Sequence, residues 1–184
     1  MRNILIVLLV MILLTGCDIF GLRDAQPPSA PAPWNDYATD WMLCLENLTY
    51  CYTDARNVVK YSGLFITDYR FYFATQDAQE HNITQIWTRS EEQDMLINLH
   101  NQSVKITLSL SVIPGSPDEI LASEAKLYRQ YSLSVKSTSS TTVYGGSMEL
   151  HLKLSGGYWY ISKWYDYRGG SAPTWGMLKY GYSQ

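Results

Sequence analysis

The spacing of apolar residues along this 184-residue chain changes several times, and each spacing predicts a different element. Ile4 to Leu14 is an unbroken apolar run of eleven residues, shorter than the roughly 20 that a membrane-spanning helix needs. From Asn35 to Val59 the apolar positions Tyr37, Trp41, Cys44, Leu45, Leu48, Cys51, Tyr52, Ala55, Val58 and Val59 follow steps of three and four, the helical period. This predicts a long amphipathic helix capped by Asn35 or Asp36. It breaks near Asp54, and a short second piece is stopped by Ser62 and Gly63. Tyr69 to Phe73 alternates as a strand, and Gln76 to Asn82 reads as a polar loop. Ser90 stands before Glu91, Glu92 and Gln93 as a capping box, which predicts a helix to about His100 burying Met95, Leu96 and Leu99.

Beyond His100 the period is two. Val104, Ile106, Leu108, Leu110 and Val112 alternate with polar residues. Leu127 to Val135 repeats the pattern, as does Thr142 to Leu154 with Met148, Leu150, Leu152 and Leu154 inward. Ser155-Gly156-Gly157 is a hairpin turn, and Tyr158 to Tyr167 returns. Such alternation means that one face packs on a core and the other meets water. The predicted class is α+β, with N-terminal helices packed on a curved antiparallel sheet.

The first residues carry an address. One positive charge precedes the apolar run, which has the length and flanks of a secretory signal. Leu14-Thr15-Gly16-Cys17 follows and resembles the lipobox of bacterial lipoproteins. That resemblance implies cleavage before Cys17, a diacylglycerol thioether on it and acylation of its new amine; two or three acyl chains hold a bilayer firmly where one is marginal. The expected organisation is a signal peptide over 1–16, a lipidated cysteine and Pro-rich tether over 17–34, and one domain over 35–184. The tether holds four of the seven prolines and no core-forming residue between Gln26 and Pro33. Asp18 resembles an inner-membrane retention signal, which implies the periplasmic face of that membrane.

Without 1–16 the chain has thirteen basic and seventeen acidic residues, a net charge of −4, which argues against a nucleic-acid partner. Cys44 and Cys51 lie on the apolar stripe of the first helix. Seven residues of helix separate them by about 10.5 Å, too far for a disulfide, whose Cα atoms lie within roughly 7 Å. They read as small buried hydrophobes, with no metal ligands nearby.

Four segments, Asp68-Tyr-Arg-Phe-Tyr-Phe73, Trp87-Thr-Arg-Ser-Glu-Glu92, Trp159-Tyr-Ile-Ser-Lys-Trp-Tyr-Asp166 and Thr174-Trp-Gly-Met-Leu-Lys179, resemble in order the recurring stations of nuclear-transport-factor-2-like (cystatin-like α+β cone) lipoproteins. The resemblance implies a cone with a pocket between helix and concave sheet, in a superfamily of isomerases, dehydratases, cyclases and members without known activity.

Proton chemistry inside a cone needs an inward acid or base with a shifted pKa. The strands at 104–112 and 127–135 have none, and Glu149 and His151 lie opposite the leucine stripe. Asp166, Asp68 and His100 are the candidates. Asp166 reads as a strand-end residue, Asp68 as a turn or cap, His100 as a helix-terminal cation. No catalytic residue, metal or cofactor is therefore expected. Fifteen Tyr, six Trp and four Phe raise the expectation of a stacking surface, with Tyr72, Tyr131 and Trp164 as candidate ligand contacts. The function expected is a non-catalytic cell-envelope lipoprotein whose cone domain binds a small apolar ligand or an envelope protein. The alternatives are an isomerase or dehydratase on the same fold, or a glycan-binding module. The membrane, through the lipid, and a second copy of the chain are the other expected partners.

Overall fold

A computed structural model describes residues 33–53, 58–84 and 86–184. The signal segment, Cys17, Asp18, most of the tether and the predicted break at Asp54 lie outside them. The elements are α1 (Trp41–Thr53), α2 (Val58–Gly63), β1 (Phe65–Tyr72), α3 (Thr75–His81), β2 (Ile86–Trp87), α4 (Arg89–Gln102), β3 (Lys105–Val112), β4 (Glu119–Ile120), β5 (Glu124–Lys136), β6 (Thr141–Ser155), β7 (Tyr158–Arg168) and α5 (Trp175–Gly181).

The strands form one curved sheet in the order β2-β1-β7-β6-β5-β3, with β4 beside β5. Every neighbouring pair is antiparallel except β1 and β7, which run parallel. This is the α+β architecture that the alternating pattern predicts, with one parallel seam that the pattern does not show. The inner face of β5, β6 and β7 supplies Leu127, Leu133, Met148, Leu150, Leu152, Ile161 and Trp164. They pack in one core with Cys44, Leu48 and Cys51 of α1 and Met95, Leu96 and Leu99 of α4. Each fully buried aliphatic side chain of this kind contributes about 1.5–3 kcal/mol. Cys44 and Cys51 form no disulfide and are buried on one helix, as their spacing requires.

Several boundaries differ from the sequence reading. The first helix begins at Trp41, where the Asp40 carboxylate accepts the Met42 amide at 2.7 Å, so neither Asn35 nor Asp36 is its cap. The α4 cap is Thr88, paired with Glu91 in a reciprocal box, two residues before Ser90. The polar stretch read as a loop holds helix α3. Val104 and Val112, expected inward on β3, are 57 % and 60 % exposed, at the two ends of this edge strand. Helix α5, which no periodicity indicated, returns the chain into the cone: Trp175, Leu178 and Lys179 are completely buried.

Candidate functional site

The interior holds two carboxylates, a lysine and a ring of aromatic residues. Glu92 enters from the first turn of α4 and Lys179 from α5, and their side chains form a fully buried ion pair. The tyrosines complete the shell around Glu92. Tyr61 donates to Oε2 at 2.7 Å and Tyr69 to Oε1 at 2.9 Å. Tyr52 shares a 3.3 Å hydrogen bond with Tyr61 and accepts the Trp175 indole N–H at 3.0 Å. The Lys179 ammonium lies 3.7 Å from the Phe71 ring centre and 3.9 Å from that of Trp164, contacts worth about 2 kcal/mol when desolvated. Burial pulls its pKa down to about 8 against the opposing pull of Glu92. Burial, and then the Glu92 charge, raise Tyr52, Tyr61 and Tyr69 well above their ordinary range, so all three stay protonated.

Asp166 is the second interior carboxylate, and its place corrects the sequence reading. It lies near the end of β7, as expected, but its side chain is inward and 2 % exposed. Its oxygens accept the Tyr131 hydroxyl at 2.7 Å and the Gly176 amide at 2.6 Å. Burial raises its pKa to about 6 in spite of these donors and the nearby Lys179. The alternation along β7 does not show its inward direction because of a register shift. His151 pairs with Lys163 but Leu152 with Ile161, so Ser162 is an extra residue on β7. Odd-numbered Trp159 and Ile161 face inward before the bulge and even-numbered Trp164 and Asp166 after it. Two glycines admit this arrangement. A Cβ at Gly176 would stand 2.8 Å from Phe73 and 3.1 Å from Asp166 Oδ2, and one at Gly146 would stand 2.6 Å from the Tyr131 hydroxyl.

A third network clamps the start of α5. Thr174 caps the helix, accepting the Met177 amide at 3.2 Å, and donates to Asp77 of α3 at 2.5 Å. Arg168 donates through Nε to the same Asp77 at 2.6 Å and reaches Glu80.

The remaining sequence candidates separate. Asp68 is exposed within β1, near its register irregularity, rather than in a preceding turn. His100 is half-buried in the last turn of α4. Tyr131 and Trp164 are core, packed edge-on against Trp175 at 5.2 and 4.6 Å. Tyr72 alone of the three ligand candidates faces outward, stacked on Tyr165 at 4.4 Å. Glu92 and Lys179 were not among the candidates. Glu92 read as an ordinary first-turn acid, and nothing local linked it to a lysine 87 positions away.

The outer sheet face carries two registered rows. Tyr72, Tyr165, Glu149 and Tyr128 are cross-strand neighbours on β1, β7, β6 and β5; Arg70, Lys163, His151 and Lys126 are the next set. His151 Nε2 lies 2.5 Å from Glu149 Oε1, and Lys126 donates to Glu119 at 3.0 Å. Among the described residues no cluster of three His, Cys, Asp or Glu side chains is placed to hold a metal ion. No described helix is long and apolar enough to cross a membrane.

No protein-family model matches the chain, and no curated protein matches it in sequence. Its fold is shared with solved structures. A candidate scytalone dehydratase from Novosphingobium aromaticivorans has a TM-score of 0.57 at 12 % identity, over 74 % of this chain and 91 % of that one. Hexachlorocyclohexane dehydrochlorinase LinA-type3 from Novosphingobium barchaimii has 0.53 at 9 %, over 72 % and 86 %. A protein of unknown function with a cystatin-like fold from Nostoc punctiforme has 0.50 at 12 %, over 72 % and 91 %. The domain is thus a cystatin-like, nuclear-transport-factor-2-like fold. At these identities the likeness concerns the fold alone.

Proposed function

We propose that this chain is a lipid-anchored protein of the bacterial cell envelope whose cone domain binds a ligand or partner without catalysing a reaction, and does so through its outer sheet face. The anchor rests on the lipobox-like tetrad ending at Cys17. The non-catalytic reading rests on one observation: α5 fills the cone, and both interior carboxylates are engaged there by protein donors. A general acid or base must come within hydrogen-bond reach of its substrate, and Glu92 and Asp166 reach only protein groups. Tyr131 and Trp164 therefore serve packing, and the small-ligand reading moves to the outward side, where Tyr72 stands. The test is deuterium exchange into a panel of enolisable ketones by the mature protein in heavy water. No exchange above the buffer rate is expected.

A second reading, an isomerase or dehydratase, is favoured by the Asp166 carboxyl itself, inward and raised to about 6, in the range where a group both gives and takes a proton near neutrality. Two of the similar structures carry enzyme names. Ketone exchange that disappears in Asp166→Asn would establish this reading and end the first.

A further inference from the structure

The outer face has a cavity of about 200 Å³ beside the β7 bulge, bordered by Lys126, Lys153, Lys163, His151, Ser162 and Leu121 and by the carboxylates Glu119 and Glu124. Its chemistry is set by cross-strand register. Arg70 pairs with Lys163, Lys163 with His151, and His151 with Lys126, so basic residues stand side by side across four strands. Like charges directly opposite one another on a sheet face are destabilising. The flanks are compensated: Lys126 by Glu119, Lys153 by Glu124, and His151 hydrogen-bonds to Glu149. At the centre, Arg70 donates to the carbonyl of Tyr69, and no carboxylate of the described residues lies within ion-pair distance of Lys163. The bulge places the buried Ser162 hydroxyl next to it, where it donates its proton to the His151 carbonyl at 3.0 Å and so leaves Lys163 as the donor to an anion. Leu121 adds an apolar border.

We infer that this cavity is a binding site for a small organic anion, a carboxylate or phosphate on a short apolar frame, with Lys163 as the charge partner. A ligand anion supplies the counter-charge that the row lacks, and charge-assisted hydrogen bonds are the strong ones. The space suits a ligand smaller than the drug-sized molecules held by pockets of about 300–1,000 Å³. The inference rests on the reading of the outer face as the binding side.

The test is a titration of the isotope-labelled mature protein in detergent with phenyl phosphate, glycerol phosphate and benzoate, followed by amide spectra at constant ionic strength. The expected result is saturable shifts at His151, Ser162 and Lys163 with at least one probe. Lys163→Gln should weaken them about tenfold or more, Lys163→Arg should restore them, and Lys105→Gln on the opposite sheet edge should leave them unchanged. Both lysines are exposed, so an unchanged melting temperature verifies the fold. Tighter binding of phenyl phosphate than glycerol phosphate marks a free organic anion as the source, and the reverse order a lipid headgroup. No saturable shift with any probe, or shifts that survive Lys163→Gln, would overturn the site while leaving the outer-face reading open to other ligands. Shifts centred instead on Tyr131, Trp175 and Gly176 would overturn both.

Discussion

Lys179 and Glu92 meet inside the cone with neither side chain reaching water. A buried ion pair adds little net stability over an apolar replacement, but removing one partner leaves an uncompensated charge. Lys179→Met should therefore cost about 3–5 kcal/mol in urea unfolding, as should Glu92→Gln to a lesser degree. The double variant should cost clearly less than the sum of the two. Additivity to within about 0.5 kcal/mol would show that the pair is not coupled.

Both interior shifts give stability a pH dependence of defined sign. Lys179 is lowered from 10.5 to about 8 in the folded chain. Between those values the unfolded chain still holds the proton that the folded chain has released, so this group makes stability rise with pH across that window. Asp166 is raised from 3.8 to about 6. There the folded chain holds the extra proton, so its contribution falls as pH rises through that window. Buried tyrosines and thiols act against Lys179 above their ordinary values, so the measurement is the difference curve. Wild type minus Lys179→Met should climb between pH 8 and 10, and wild type minus Asp166→Asn should fall between pH 4 and 6. Flat difference curves would mean that the groups titrate normally.

Gly176→Ala tests the contact between α5 and β7. The added methyl meets Phe73 and Asp166 Oδ2 at once, and Asp166 cannot withdraw without breaking the amide–carboxylate bond that seats the helix. Overpacking of this sort costs about 1–3 kcal/mol. Gly181→Ala, whose Cβ would meet nothing, should be close to neutral in the same thermal melt.

Thiol counting tests the anchor and the core together. Cys44 and Cys51 form no disulfide, and burial pushes both thiols up to about 12, so neither should react with a disulfide reagent in the folded state. After denaturation without reductant, a chain lipidated at Cys17 should yield two thiols and Cys17→Ala the same number, the latter on an unprocessed precursor. A wild-type yield of three would show that Cys17 carries no thioether.

The strands β5 and β6 were legible because each has one buried face along most of its length, and burial of one face is what period two records. The interior chemistry was not, for reasons that differ by residue. The Ser162 bulge inverts the parity of β7, so counting from Trp159 sends Asp166 to the wrong face. Helix α3 has the sequence TQDAQEH, without an apolar stripe; it is held by Asp77 bonding to Thr174 and Arg168, contacts that span 97 and 91 positions. Helix α5 is seven residues with a glycine at its second and last positions, too short and too glycine-rich to show a period. What buries it is a cavity built by the other elements. The two cysteines were read correctly because helical rise is a local quantity and needs no partner.

The parallel seam bears on when this fold can exist. Apart from the two-residue β2, the only ladder partner of β1 among the described residues is β7, so the strand that begins at Phe65 waits for one that begins at Tyr158. A chain still emerging from a ribosome has no described strand with which to complete the β1 edge until β7 is delivered. α5, which closes the cone, comes later still. Contacts of such long sequence separation slow folding. A product that ends before β7 has α1 to α4 and the first hairpins, but lacks Trp164, Asp166 and Lys179 of the interior.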